Sequence, residues 1–141
     1  LRLFNVFGPG QNLLNTKQGM LKIYLTQLLK SNKIIVKGKL KRYRDFIYIE
    51  DVLRAFFQAY KKNKKGYKIY NVGTGKKTTV KKLIFLIANL LKKKPKILLS
   101  KSTPGDQLGT YANINKIKKE LNWKPKFELN HGLKKYIDYL N

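Results

Sequence analysis

Cysteine is absent from this sequence, and histidine occurs once, at position 131. Disulfides and thiolate metal sites are therefore excluded, and one imidazole cannot build a histidine cluster. No metal site is expected. Long apolar runs are missing too: lysines interrupt every hydrophobic stretch well short of the roughly 20 residues of a membrane span, so no membrane partner is expected. No signal or transit peptide pattern is visible, and a sequence that opens in mid-strand does not bear on one; the expected location is cytoplasmic. Internal repeats and long linkers are absent as well. What is present is 141 residues, 43% of them hydrophobic, enough for one core of ordinary domain size.

Acids are scarce, 7 against 32 lysines and arginines, for a net charge of +25. A charge of that size is the electrostatic footprint of nucleic-acid binding, so a basic nucleic-acid-binding module is a rival reading. Its distribution argues the other way. The lysines crowd helix ends, as in "YKKNKKGYK" and "LLKKKPK", and form no single stripe. Only Arg2, Arg42, Arg44 and Arg54 are arginines, whereas base-edge readout favours the arginine fork. Lysine, asparagine and isoleucine all have A- and T-rich codons, so a compositional bias accounts for the charge as well as a function does. No nucleic-acid partner is expected.

Periodicity gives alternating elements. Residues 1–6 read as a strand, and 18–31 carry Met20, Leu21, Tyr24, Leu25 and Leu28 at helical spacing. The strand "KIIVK" follows, then "YRDFIYI", in which Phe46 and Tyr48 alternate with Ile47 and Ile49. A helix opens at "EDVLRAFFQAY", with Glu50 and Asp51 in the first turn where the helix dipole favours acids. "KIYNVGTG" is a strand running into a glycine turn, and "TTVKKLIFLIANLLKK" is a helix with a threonine cap. A weak strand "KILL", the loop "STPGDQ", a helix near 113–121 and a last helix from about 130 complete the chain. Strands alternating with helices predict an α/β fold with a largely parallel sheet. Parallel strands are normally covered on both faces and flanked by neighbours, so a strand at residue 1 predicts a cut edge whose partners lie upstream.

Four segments, "LRLFNVFGPGQ", "RDFIYIEDVLRA", "YNVGTGKKTTV" and "TPGDQLGTYANINKIKKELNWKPKFELNHGL", stand in an order and spacing that resemble the C-terminal half of the NAD-dependent epimerase/dehydratase family, the extended short-chain dehydrogenase/reductases acting on nucleotide sugars. The resemblance covers essentially all of residues 1–141 and is strongest to the UDP-sugar 4-epimerases. It implies the C-terminal part of a Rossmann-like fold: the last sheet strands plus a small substrate-binding subdomain. The glycine-rich dinucleotide turn and the Tyr-x-x-x-Lys helix that precede these segments in the family are missing here. The resemblance further implies NAD as cofactor, a UDP-sugar as substrate, a homodimer, and epimerisation through a 4-keto intermediate in the whole enzyme. No catalytic group is expected within 1–141. A 4,6-dehydratase begins with the same oxidation and stays open as the alternative.

Site residues follow from the matched motifs. Arg44 supplies a planar donor fork suited to a diphosphate, the family's role for that position, against a structural pairing with Asp45 or Asp51. Asn5 stands where a parallel strand delivers its side chain to the carboxyl-end crevice, and its amide can both donate and accept. The resemblance makes Asn5 a substrate contact and sets Phe4 against the nicotinamide. Asp106 in "PGDQ" is expected to accept from the ribose hydroxyls, and the segment 34–38, centred on Val36, to border the base. Many relatives place arginine where Thr103 stands, which puts more of the diphosphate load on Arg44 and nearby lysines.

Other residues have structural readings. Tyr60 and Lys64 satisfy Tyr-x-x-x-Lys, but four of the five positions 61–65 are lysine, so the match follows from composition. "GTGKKT" lacks a third glycine and reads as a tight turn, with Asn71 shaping it. Asp45 is expected to fix a loop or the next helix, Trp123 to anchor the C-terminal segment, His131 to lie on the surface, and Arg54 to be one of many dispersed helix cations.

Overall fold

A computed structural model of the chain describes residues 1–13, 15, 18–62, 66–102, 105 and 107–140. They form two compact units. The first comprises Leu1–Pro9, Asp45–Lys77 and Tyr111–Asn141, and the second comprises Gly10–Arg44 and Thr78–Thr110.

In the first unit the opening segment is not one strand with one neighbour. β1 (Arg2–Leu3) pairs in parallel with β6 (Asn71–Val72), and β2 (Asn5–Phe7) pairs in parallel with β5 (Phe46–Tyr48). The switch follows from strand geometry, since successive amides point to opposite sides. Arg2 and Phe4 donate to the carbonyls of Tyr70 and Val72, while Asn5 donates the other way, to Asp45. The expected alternation in "FIYI" also fails, because Phe46, Ile47 and Tyr48 are all buried. Helices α2 (Ile49–Lys62) and α5 (Leu129–Leu140) both pack on β5, and a strand covered on both faces has no solvent side.

α2 turns Val52 and Ala55 into a core that also holds Ile47, Tyr70, Val72, Ala112, Ile114 and Trp123. α4 (Asn115–Leu121) adds Ile117 and Leu121 and ends at Asn122, whose φ of 51° is the left-handed stop that asparagine tolerates. Burial of each large aliphatic side chain here contributes about 1.5–3 kcal/mol.

The second unit joins β3 (Lys33–Lys37) to β8 (Lys96–Ser100) in a parallel pair of five residues each. α1 (Met20–Lys30) and α3 (Val80–Leu90) lie against each other, and α1 covers β3. The apolar positions of these helices, Leu21, Leu25 and Leu28 with Leu83, Ile84 and Ile87, are buried along with Ile34 and Val36. Thr79 caps α3, its side chain accepting from the Lys82 amide at 3.1 Å. The remaining pair, β4 (Tyr43–Arg44) with β7 (Thr78–Thr79), is antiparallel. "YRDFIYI" is therefore two short strands, with β4 in this unit and β5 in the first.

Candidate functional site

Asp45 organises the carboxyl end of the first unit's strands. Its side chain is fully buried and accepts four hydrogen bonds, from the Thr74 amide at 2.8 Å, the Thr74 hydroxyl at 2.5 Å, the Gly75 amide at 2.9 Å and the Ala112 amide at 3.1 Å. A buried carboxylate is costly unless its lone pairs are filled, and these donors fill them. The glycine turn "GTG" is thus wrapped around a carboxylate. Two of the turn's amides, those of Thr74 and Gly75, are thereby engaged by the carboxylate and not presented to a phosphate. Gly73 must be glycine for the same packing: a Cβ there would stand 2.6 Å from both Asp45 Oδ2 and the Ala112 Cβ.

Asn5 is attached to the same hub. Its backbone amide and its Nδ2 both donate to the Asp45 carbonyl, at 3.0 and 3.1 Å. That fixes the orientation of the side-chain amide and leaves Oδ1 as the end that can accept from a ligand. Phe4, one residue earlier, is half-buried and packs against the core. Just beyond, Gly8 (φ 150°) brings the chain so close to Ile49 that no side chain fits. Asn71 does not shape the turn as expected, for its Nδ2 donates 3.3 Å to the Asn113 carbonyl and ties β6 to the following segment.

In the second unit, Arg44 is half-buried on β4 and its Nη1 donates to the Tyr43 carbonyl at 2.8 Å. Val36 is fully buried toward the helices, while Ile35 beside it is 51% exposed. Within the segment 34–38, a ligand therefore meets backbone or the Ile35 face, not the Val36 side chain. Asp106 and Thr103 lie outside the described residues.

A second carboxylate hub was not legible as such. Asp51, fully buried in the first turn of α2, accepts from Arg54 at 2.5 Å and from the amides of Lys126 and Phe127 at 2.9–3.0 Å. Its carbonyl accepts from Trp123 Nε1 at 3.1 Å, and Trp123 is buried as the expected anchor. Arg54 also donates to the Lys124 carbonyl, so it is a structural ion-pair residue and not a dispersed surface cation. The i,i+3 spacing of Asp51 and Arg54 was the available signal.

Tyr60 is 86% exposed, and Lys64 lies outside the described residues. Tyr48 is pushed up by burial and then by Glu50, and Tyr70 and Tyr136 are raised first by burial, opposite to what a catalytic phenol needs. His131 is exposed at the start of α5, its ring 5.3 Å from that of Phe127. Among the described residues no three His, Cys, Asp or Glu side chains gather as a metal site. No described helix is long and apolar enough to cross a membrane.

The family model for the NAD dependent epimerase/dehydratase family matches residues 1–73. This chain belongs to that family. A protein of Methanocaldococcus jannaschii described as a putative UDP-glucose 4-epimerase is 31% identical over 141 residues, 99% of this chain and 44% of its own length. An Escherichia coli dTDP-4-dehydro-6-deoxyglucose reductase is 33% identical over 97% of the chain and 43% of its own length. Among solved structures, the UDP-glucose 4-epimerase of Thermotoga maritima with UDP-glucose matches 99% of the chain at a TM-score of 0.90 and 29% identity, which is 44% of that chain. The fold is accordingly part of a Rossmann-like extended short-chain dehydrogenase fold. The chain spans under half the length of the relatives it matches. The family model ends at residue 73, so the motifs beyond it are carried by relatives that align along the whole chain.

Proposed function

We propose that this chain is the nucleotide-sugar-binding portion of an NAD-dependent UDP-sugar 4-epimerase. The observation that carries the reading is the orientation of Asn5: two bonds to the Asp45 carbonyl hold its amide in one direction two residues past the carboxyl end of the parallel strand β1, and ligands of open α/β sheets bind beyond such ends. The likeness to 4-epimerases along the whole chain supports it.

The roles divide as follows. Asn5 Oδ1 accepts from a substrate hydroxyl, and the fixed Nδ2 keeps that oxygen from rotating away. Arg44, whose Nη1 donates to the Tyr43 carbonyl, places its guanidinium toward the diphosphate. Asp106 accepts from the ribose, the segment around Val36 borders the base, and Phe4 lends apolar surface to the nicotinamide. NAD would lie with its nicotinamide against Phe4 and would supply a reversible hydride acceptor for oxidation and re-reduction at the sugar's C4. No side chain of residues 1–141 performs the accompanying proton transfer. The whole protein supplies it as a cytoplasmic homodimer.

The family, whose model covers epimerases and dehydratases alike, keeps a second outcome in view, a 4,6-dehydratase sharing the first oxidation. The test is to incubate the whole protein with NAD and UDP-glucose and follow the sugar by chromatography and mass. Inversion at C4 leaves the mass unchanged, and dehydration removes one water. Conversion to the C4 epimer is expected. A dehydrated product, or no turnover with any UDP-hexose, overturns the reading.

A further inference from the structure

Asp45 and Asp51 are both fully buried in the first unit, and each carboxylate is filled by amides from segments distant in sequence. Their main chains reach different places. The Asp51 carbonyl accepts from Trp123 Nε1, so that network ends inside the core. The Asp45 carbonyl accepts from the Asn5 amide at 3.0 Å and from Asn5 Nδ2 at 3.1 Å, so that network ends on the residue assigned to the substrate.

The Asp45 carbonyl depends on its own side chain for support. In chain order residue 45 falls between β4 and β5 and belongs to neither. The bond it takes from the Asn5 amide is the first of the β2–β5 pairing, with no earlier rung to steady it. The carboxylate steadies it instead. One oxygen, Oδ1, accepts from the Thr74 amide and hydroxyl, and the other, Oδ2, from the amides of Gly75 and Ala112, so another rotamer would break four bonds. Fully satisfied buried networks rigidify what they hold, and the Cα held here is one bond from the carbonyl that takes both Asn5 donors. Hydrogen bonds weaken steeply off line, so a turn of this carbonyl turns Nδ2, and Oδ1 with it.

We propose that Asp45 is a positioning residue for the nucleotide sugar: its carboxylate sets the direction of its carbonyl, the carbonyl sets Asn5 Nδ2, and Asn5 Oδ1 thereby meets the substrate hydroxyl. The proposal rests on Asn5 being a substrate contact. A carboxylate that contributed stability alone would leave the affinity of the folded protein unchanged. This one acts on affinity, and only through Asn5.

The test is a double-mutant cycle on the whole protein, with UDP-glucose affinity measured by calorimetry and folding confirmed by circular dichroism for each variant. Asn5→Ala removes the acceptor and should weaken UDP-glucose binding about tenfold, the worth of one hydrogen bond. Asp45→Asn should weaken it about fivefold with Asn5 present and less than about twofold in the Asn5→Ala background. The double variant then stays near the loss of Asn5→Ala alone, where independent effects would multiply to about 50-fold. Asp51→Asn, the equally buried carboxylate, should change affinity less than about twofold in either background. Thr74→Val removes only the hydroxyl donor and keeps the shape of the network, so it decides the matter if Asp45→Asn does not fold. It should weaken binding about threefold, again only with Asn5 present. Multiplied losses in the double variant, equal losses from Asp45→Asn and Asp51→Asn, or full affinity in folded Asp45→Asn or Thr74→Val would each overturn the proposal and leave the nucleotide-sugar reading standing. Full affinity in Asn5→Ala would overturn the Asn5 contact and the proposal with it, and a parent protein that does not bind UDP-glucose would overturn the nucleotide-sugar reading and the proposal alike.

Discussion

Replacing Asp45 with alanine should unfold the site end of the first unit. The substitution removes the acceptor of four hydrogen bonds and leaves the amides of Thr74, Gly75 and Ala112 without a partner in a site the carboxylate fills completely. Bonds to a charged group contribute about 1.5–3 kcal/mol each but are not additive within one network. Breaking a buried charged cluster by removing one member costs about 3–5 kcal/mol, and that is the loss expected here. It is a large part of the roughly 5–15 kcal/mol total of a typical domain. Asp45→Asn keeps the shape and one acceptor oxygen but turns an NH2 toward two amides, so it should recover about half of the loss. Urea unfolding followed by the emission of Trp123, the one tryptophan and 1% exposed, reports the change directly. A loss below about 1 kcal/mol for Asp45→Ala would refute the hub.

Three further outcomes follow from the same contacts. Arg54→Ala should cost about 1–2 kcal/mol in urea unfolding, because Asp51 keeps the Lys126 and Phe127 amides but loses its charge partner, whose side chain is 33% exposed. No change would return Arg54 to the dispersed cations. Gly73→Ala should cost about 1–3 kcal/mol by forcing Asp45 and Ala112 apart, and a melting temperature equal to that of the parent would contradict the close approach. The Lys68 ammonium, then the Tyr70 hydroxyl, hold the Glu120 carboxyl below the usual glutamate range. A lowered folded-state pKa means that its contribution is present above the unfolded value and disappears as pH falls through the folded one. Carboxyl titration by NMR should therefore show Glu120 moving up in Lys68→Ala, more than in Tyr70→Phe, and the reverse order would contradict the assignment.

Much of this was legible because it is local. The helix at 20–30 follows from apolar spacing, the Thr79 cap from a side chain three residues before the amide it satisfies, and Trp123 from its size and position after a helix. What was not legible depends on distant partners. The sequence indicates that Asp45 is structural, but its donors at 74, 75 and 112 are 29, 30 and 67 residues away. Residues 1–6 read as one strand because the apolar pattern is continuous, and it carries no mark of the change of neighbour between Phe4 and Asn5. Arg54 was lost among many cations, since charge alone does not distinguish a paired arginine from a solvated lysine. Val36 was chosen for its place in a segment, and strand alternation then turned it inward and Ile35 outward.

The most direct test of the nucleotide-sugar reading is calorimetric titration of UDP and UDP-glucose into the whole protein and its Arg44→Ala variant, with Lys61→Ala as the exposed control. Losing a charge-assisted bond to a partly buried phosphate costs about 2–4 kcal/mol, so Arg44→Ala should weaken both ligands roughly 30- to 800-fold. Arg44→Lys should recover only part of that, because an ammonium keeps the charge but not the planar fork. Lys61→Ala should leave both affinities within about threefold. Equal, small effects of Arg44→Ala and Lys61→Ala in folded protein would contradict the account, and the diphosphate would then have to be held elsewhere.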